Sequence, residues 1–322
     1  LPICYEAWLR YQPAMVADGV DGESLAKVRM EADGTTADAA LAEWGRALRG
    51  FFGIEAEKAA SSAAADVLFT VEATMEREAY RIDPGDPLRI SGGSETGLLY
   101  GVFACLRKLQ LGLPREEWAE TSAPYNPLRM LNHWDNLKMD PTLGSIERVR
   151  GGKTIFDWTD LSYPNPRYRD YARMLASVGI NGAALNNVNA DPEILSPETI
   201  EGVAALAEEL RPYGIRVFLT VNYASPVLIG GLKTADPLEP AVRKWWKDKA
   251  EEIYARIPDF GGFLVKADSE GRPGPGTYGR SHCEGSEVLA DALAPHGGVV
   301  LWRAFVYGGD LEDRAPNERV AE

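Results

Sequence analysis

From Leu128 onward, short apolar runs alternate with amphipathic helical stretches, and this alternation restricts the chain more than any other feature. Repeats of strand, helix and strand make parallel strands joined by crossover helices, and such sheets are stable when both faces are covered. The runs fall at 128–134, 182–186, 216–221, 262–266 and 299–303. A helix is predicted over 167–178, closing at Gly179, which enters the left-handed C′ conformation without a Cβ penalty. The next has Ser196 as N-cap and Pro197 at its first position, and it stops near Tyr213 and Gly214. A third carries Trp245, Trp246, Ile253 and Tyr254, with the tryptophans as packing residues, and a fourth runs around 287–293.

Polar residues gather at the carboxyl end of each run: His133 and Trp134, Asn186 and Asn187, Asn222, Lys266 to Glu270, and Arg303. A (β/α)8 barrel builds its active site there. A doubly wound sheet also binds ligands at strand carboxyl ends, but no dinucleotide-type glycine loop follows the first run, which favours the barrel. Five strands are not eight, and an open parallel sheet leaves unpaired edges. The expected fold is α/β: an N-terminal α/β domain over 1–123, then an incomplete (β/α)8 TIM barrel over 124–322 with about five of its eight strands.

In the first domain, 65–71 reads as a strand. The stretch 95–111 reads as a helix, with Leu98, Leu99, Val102, Phe103, Leu106 and Leu109 on one face. Gly92 and Gly93 lack the rest of a phosphate-loop fingerprint and read as a structural turn. The polar segment 116–127, ending in Ala-Pro-Tyr-Asn-Pro, reads as a linker.

Charge excludes some partners. A net charge of −14 and a pI near 4.8 repel a phosphate backbone, so nucleic acid is not an expected partner. An anionic small molecule would need a local cationic pocket set against that field. No stretch is apolar for long enough to span a bilayer, so no membrane partner is expected. Cys4, Cys105 and Cys283 are odd in number and widely spaced, and read as reduced packing thiols with no metal site. No signal peptide is visible at the start, which makes the expected location cytoplasmic rather than secreted.

The sharpest chemistry lies in Lys266-Ala-Asp-Ser-Glu-Gly-Arg-Pro-Gly-Pro-Gly-Thr-Tyr278, where an apolar strand delivers a cation and two carboxylates into a Gly/Pro loop. A glycosidase needs a carboxylic acid to protonate the departing oxygen, and Glu270 and Asp268 are the available groups. Both carboxylates would look the same if they only capped backbone or paired with Lys266 and Arg272. Lys266 and Arg303 end neighbouring strands and together suit an anionic group, the guanidinium gripping a carboxylate in bidentate fashion. Trp134 offers a stacking wall for a sugar ring or a core tryptophan. His133 is a base or a hydrogen-bonded strand-end residue. The run Asn186-Asn187-Val188-Asn189 offers amides for sugar hydroxyls, as would loop-forming asparagines.

These residues resemble the α-glucuronidases of glycoside hydrolase family 67. The shared words are Tyr5-Glu-Ala-Trp-Leu-Arg-Tyr11, Asn132-His-Trp-Asp-Asn136, Gly179-Ile-Asn-Gly182, Leu185-Asn-Asn-Val-Asn-Ala-Asp191, Thr234-Ala-Asp-Pro237 and Ile257-Pro-Asp-Phe-Gly-Gly-Phe-Leu-Val-Lys-Ala-Asp-Ser-Glu-Gly271. The resemblance implies an α/β domain, a central (β/α)8 barrel and a helical C-terminal domain that often dimerises, the last absent from this sequence. It implies removal of α-1,2-linked glucuronic acid, or its 4-O-methyl form, from xylooligosaccharides, with inversion and without metal or cofactor. By resemblance Glu270 is the general acid, Lys266 and Arg303 contact the glucuronic acid, and Trp134 and Val188 are pocket walls; Asp268 and Asn187, read from the residues themselves, are further expected substrate contacts. The resemblance takes the general base from beyond the fifth strand, so these 322 residues alone are expected to show little hydrolysis. The competing readings are a barrel glycosidase for a neutral sugar and a non-catalytic carbohydrate-binding fragment. The paired cations argue against the neutral sugar, which gives them nothing to neutralise.

Overall fold

The computed structural model describes residues 7–13, 16, 20–137, 155–161, 165–269 and 271–303. Cys4 and Glu270 therefore lie outside the described residues. The chain divides into two compact units. The first contains Leu1–Arg129, Arg169–Asn181 and Leu210–Ile215, and the second contains Met130–Tyr168, Gly182–Glu209 and Arg216–Glu322.

The first unit is built on a six-stranded sheet of β1 (Lys27–Glu31), β2 (Glu57–Lys58), β3 (Val67–Val71), β4 (Tyr80–Asp83), β5 (Leu88–Gly92) and β6 (Glu120–Ser122), in the order β2-β1-β3-β5-β4-β6. Strands β2, β1, β3 and β5 are parallel, and β4 runs antiparallel to both β5 and β6. Two helices, α1 (Thr35–Phe52) and α2 (Glu95–Gln110), pack together, and α2 lies on β5 and β4. Trp44 of α1 is fully buried, edge-on to Phe69 of β3, with its indole N–H donating to the Leu25 carbonyl at 3.1 Å. Ser94 caps α2 by accepting from the Gly97 N–H. At Gly93 a Cβ would lie 1.9 Å from the Glu76 carbonyl oxygen, so the glycine serves a close backbone approach.

The segment 116–127, expected as a linker, is partly built into this sheet. Its β6 pairs with β4, and Trp118 is fully buried with its indole donating to the Leu113 carbonyl at 2.9 Å. Polar composition at 116 and 117 hid a tryptophan anchor whose burial outweighs the loop signals.

A buried charge network closes the unit. Glu43 of α1 is completely buried and accepts from Arg173 Nε and Nη2, each at 2.8 Å, from Arg46 Nη1 at 2.6 Å and from the Tyr11 hydroxyl at 2.5 Å. Arg173 adds Asp170 at 2.8 Å and the Leu9 carbonyl at 3.3 Å. Burial first, and the Glu43 carboxylate second, push the Tyr11 phenol well above its ordinary value, so it stays a donor.

The second unit is a five-stranded, all-parallel sheet in chain order, β7 (Met130–Asn132), β8 (Gly182–Leu185), β9 (Arg216–Val221), β10 (Gly262–Lys266) and β11 (Val299–Arg303). Successive strands are linked through α3 (Pro166–Ser177), α4 (Pro197–Leu210), α5 (Pro240–Arg256) and α6 (His282–Leu293). Neighbours that are consecutive in sequence, parallel and joined by helices are the arrangement of a (β/α)8 barrel, here represented by five strands. Among the described residues no helix is long and apolar enough to cross a membrane.

Strands β9, β10 and β11 fall on the residues predicted. Strand β7 is shorter than its apolar run, spanning three residues rather than 128–134. The Arg129 N–H is drawn instead to the Asn181 side chain at 2.8 Å. Helix α6 starts at His282, earlier than 287, because Ser281 and Glu284 form a capping box that satisfies donors at both ends of the first turn.

Candidate active site

The aromatic contacts of β10 and β11 establish which side chains face the sheet's open side. Phe263 meets Trp246 of α5, and Trp302 meets His282 of α6, so these positions point at the helices. Side chains alternate along a strand, so Leu264 and Lys266, and with them Leu301 and Arg303, face the other way, where a barrel has its interior. Lys266 and Arg303 are register partners across the parallel pair. Adjacent strands thus present two cations side by side at their carboxyl ends.

Lys266 is buried, and its ammonium donates to Asn189 Oδ1 at 2.9 Å. The same oxygen accepts from Arg272 Nε at 3.2 Å. Asn189 is positioned by its own N–H, which donates to Asn187 Oδ1 at 2.8 Å. Asn187 is in turn tied to the end of β7, its N–H donating to the Asp135 carbonyl at 2.6 Å and its side-chain amide to the Trp134 carbonyl at 3.4 Å. The loop after β8 therefore carries Val188, which is buried, between two fixed asparagines. Trp134 is 37% exposed.

Asp268 adopts φ of 49°, and its Oδ2 accepts from the Gly276 N–H at 2.8 Å. A Cβ at Gly274 would lie 2.4 Å from the Asp268 carboxyl carbon, so the loop closes on this carboxylate only because Gly274 has no side chain. Asp268 thus braces the Gly/Pro loop from within. Glu270, the carboxylate on which the chemistry was expected to rest, lies outside the described residues.

His133 is buried, and its Nδ1 lies 3.0 Å from the Ala184 carbonyl. A carbonyl only accepts, so Nδ1 carries the proton. Burial pushes the ring below its ordinary value, against the upward pull of the Ala184 hydrogen bond and the Asp135 charge. A neutral, hydrogen-bonded imidazole fits the strand-end reading of this residue. Cys105 is a buried free thiol and Cys283 an exposed one, and among the described residues no group of three or more His, Cys, Asp or Glu is arranged to hold a metal ion.

Three side chains named from the sequence make contacts here that the sequence did not announce. Asn189 joins two cations, Arg272 reaches it from beyond the Gly271 turn, and Asn186 extends the sheet. With φ of 61°, Asn186 turns its amide to donate to the Thr220 carbonyl at 2.9 Å and accept from the Thr220 N–H at 3.1 Å. It performs with a side chain the pairing that a peptide group would make. Left-handed backbone is most accessible to asparagine among residues with a Cβ, which is the signal a reader could have used.

A family model described as the glycosyl hydrolase family 67 middle domain matches residues 108–322. The chain belongs to this family. "Alpha-glucuronidase A" of Emericella nidulans is 47% identical over 228 residues, covering 69% of this chain and 26% of that protein. The chain thus spans about a quarter of the length of the curated relatives it matches. Solved structures share the fold at low identity. A GH138 enzyme targeting pectin rhamnogalacturonan II gives a TM-score of 0.58 at 16% identity, covering 84% of this chain and 42% of that one. A family GH115 4-O-methyl-alpha-glucuronidase with specificity for decorated arabinogalactans gives 0.54 at 14% identity, covering 84% and 39%.

Proposed function

We propose that this chain is the part of an α-glucuronidase that grips a glucuronic acid residue and supplies the proton for its departure. The reading rests on one observation above the others: Lys266 and Arg303 stand abreast at the ends of two parallel strands, on the face turned away from the helices. A carboxylate on a sugar ring suits two neighbouring cations in a way that a neutral sugar does not. Likeness to proteins named α-glucuronidase supports the same reading.

In this reading the substrate is a xylooligosaccharide carrying α-1,2-linked glucuronic acid or its 4-O-methyl form. Glu270 protonates the glycosidic oxygen as positive charge develops at the anomeric carbon, Trp134 and Val188 wall the ring, and Asn187 and Asp268 shape the loops around it. The anomeric centre inverts, because a second carboxylate activates water across the ring, and that base comes from strands that follow the fifth.

Binding and chemistry are tested separately. Glucuronate titrated into the protein should bind in preference to glucose and xylose, and Lys266→Ala should remove that preference. Equal affinity for charged and neutral sugars defeats the proposal. In the whole enzyme carrying this segment, Glu270→Gln should slow release of xylooligosaccharide by about a hundred- to ten-thousand-fold, the usual worth of a general acid. The loss should be smaller with a nitrophenyl glucuronide, whose leaving group needs no proton. Equal losses on the two substrates would rule Glu270 out as the proton donor.

A further inference from the structure

Asn189 Oδ1 accepts from two cations at once, Lys266 Nζ at 2.9 Å and Arg272 Nε at 3.2 Å. An amide oxygen has two lone pairs, and here both are taken by charged donors. The two nitrogens are then within about 6 Å of each other, close enough for each charge to disfavour the other. The shared amide oxygen orients both donors.

Arg280 pairs with Asp236 at 2.9 Å and Arg129 with Glu78 at 2.7 Å, while Arg115 donates only to the Pro84 and Gly85 carbonyls. Arg272 is of the second kind. Among the described residues its side chain hydrogen-bonds only to Asn189 and meets no carboxylate within ion-pair distance. Its main-chain N–H donates to the Ser269 carbonyl at 2.9 Å, which fixes where the side chain starts. With Nε held by Asn189, the two terminal nitrogens remain as the free end of the fork, and neither is buried without a partner. That end suits a two-oxygen anion.

We propose that Arg272 is a further contact for the acidic group of the ligand, and that Asn189 is the positioning residue that aims Lys266 and Arg272 at the same place. The inference rests on the reading of the site as one for a uronic acid. It adds a third cation, carried by the loop after β10, to the two on the strands. Selectivity for a carboxylate over a hydroxymethyl group then depends on a loop residue as well as on the sheet.

Calorimetric titration with sodium glucuronate and with glucose, on the parent protein and on two variants, tests it. Arg272→Gln should weaken glucuronate by about tenfold or more, the size of one charge-assisted hydrogen bond, and leave glucose unchanged. Asn189→Asp places a carboxylate between the cations. It should pair with Arg272, changing the melting temperature, and at the same time abolish the preference for glucuronate. A purely structural role for Asn189 would move the melting temperature and leave the preference intact, and that result overturns the positioning role. If Lys266→Ala loses glucuronate but Arg272→Gln binds it as the parent does, the Arg272 contact is wrong and the uronic acid site stands. If the parent protein does not distinguish glucuronate from glucose, both fall together.

Discussion

The two units treat positive charge in opposite ways. Around Glu43 in the first, Arg173 and Arg46 are matched by carboxylates, and every nitrogen of the Arg173 fork has a partner. In the second, the Arg272 side chain donates to the Asn189 amide oxygen and, among the described residues, meets no carboxylate. Desolvation makes an ion expensive to bury unless it is paired and hydrogen-bonded. A guanidinium that meets no carboxylate is available to a negative group brought by a ligand. The contrast separates charge that builds the fold from charge that the proposed site would offer a ligand.

The contrast can be broken most sharply at Glu43. Glu43→Ala leaves a buried guanidinium without its main partner and should cost about 3–5 kcal/mol of stability, read by urea unfolding. A loss below about 1 kcal/mol would mean the network is not structural. Asp268→Ala should cost less, about 1.5–3 kcal/mol, because it removes a charge-assisted hydrogen bond that holds the loop at Gly276. That variant sharpens the comparison, since Asp268 is a carboxylate beside the cationic end of β10 that is spent on loop backbone.

Acid titration gives a smaller effect. The folded state holds the His133 pKa below the ordinary 6.5. As pH falls through 6.5, the unfolded chain takes up a proton that the folded chain resists, so stability present above this value is lost between it and the lower folded pKa. The slope from one proton cannot exceed about 1.4 kcal/mol per pH unit, and His133→Gln should flatten that part of a stability-against-pH curve. An unchanged curve would place the acid sensitivity elsewhere. Smallest of all, Arg272→Gln should leave stability within about 0.5 kcal/mol of the parent, because the group it removes is not part of a neutralised network. A large loss there would merge the two classes of cation that the comparison keeps apart.

Much of the second unit was legible because its strands are short, apolar and bounded by helices. The runs 216–221, 262–266 and 299–303 are the strands observed, and the placement of Lys266 and Arg303 follows from counting alternation to the strand end. Elements with weak boundary signals were not read. Helix α1 has Gly34 as its N-cap, without a side-chain cap, so no capping signal marks its start. The pairing of Asn189 with Arg272 spans 83 residues and leaves no local pattern at either end. Arg173 and Glu43 are 130 residues apart, and neither sequence neighbourhood announces a buried charge. Local pattern reports what a residue's own element needs, and these contacts answer to other elements.

The register between β10 and β11 fixes more than which residues are neighbours. Because Lys266 and Arg303 share one rung, their roots are held apart by the strand spacing of a sheet, about 4.8 Å. That gauge is set by peptide geometry and is insensitive to side-chain substitution. A variant grip for a larger or smaller acid would have to change side-chain length or recruit a different rung or loop, since the roots themselves do not move.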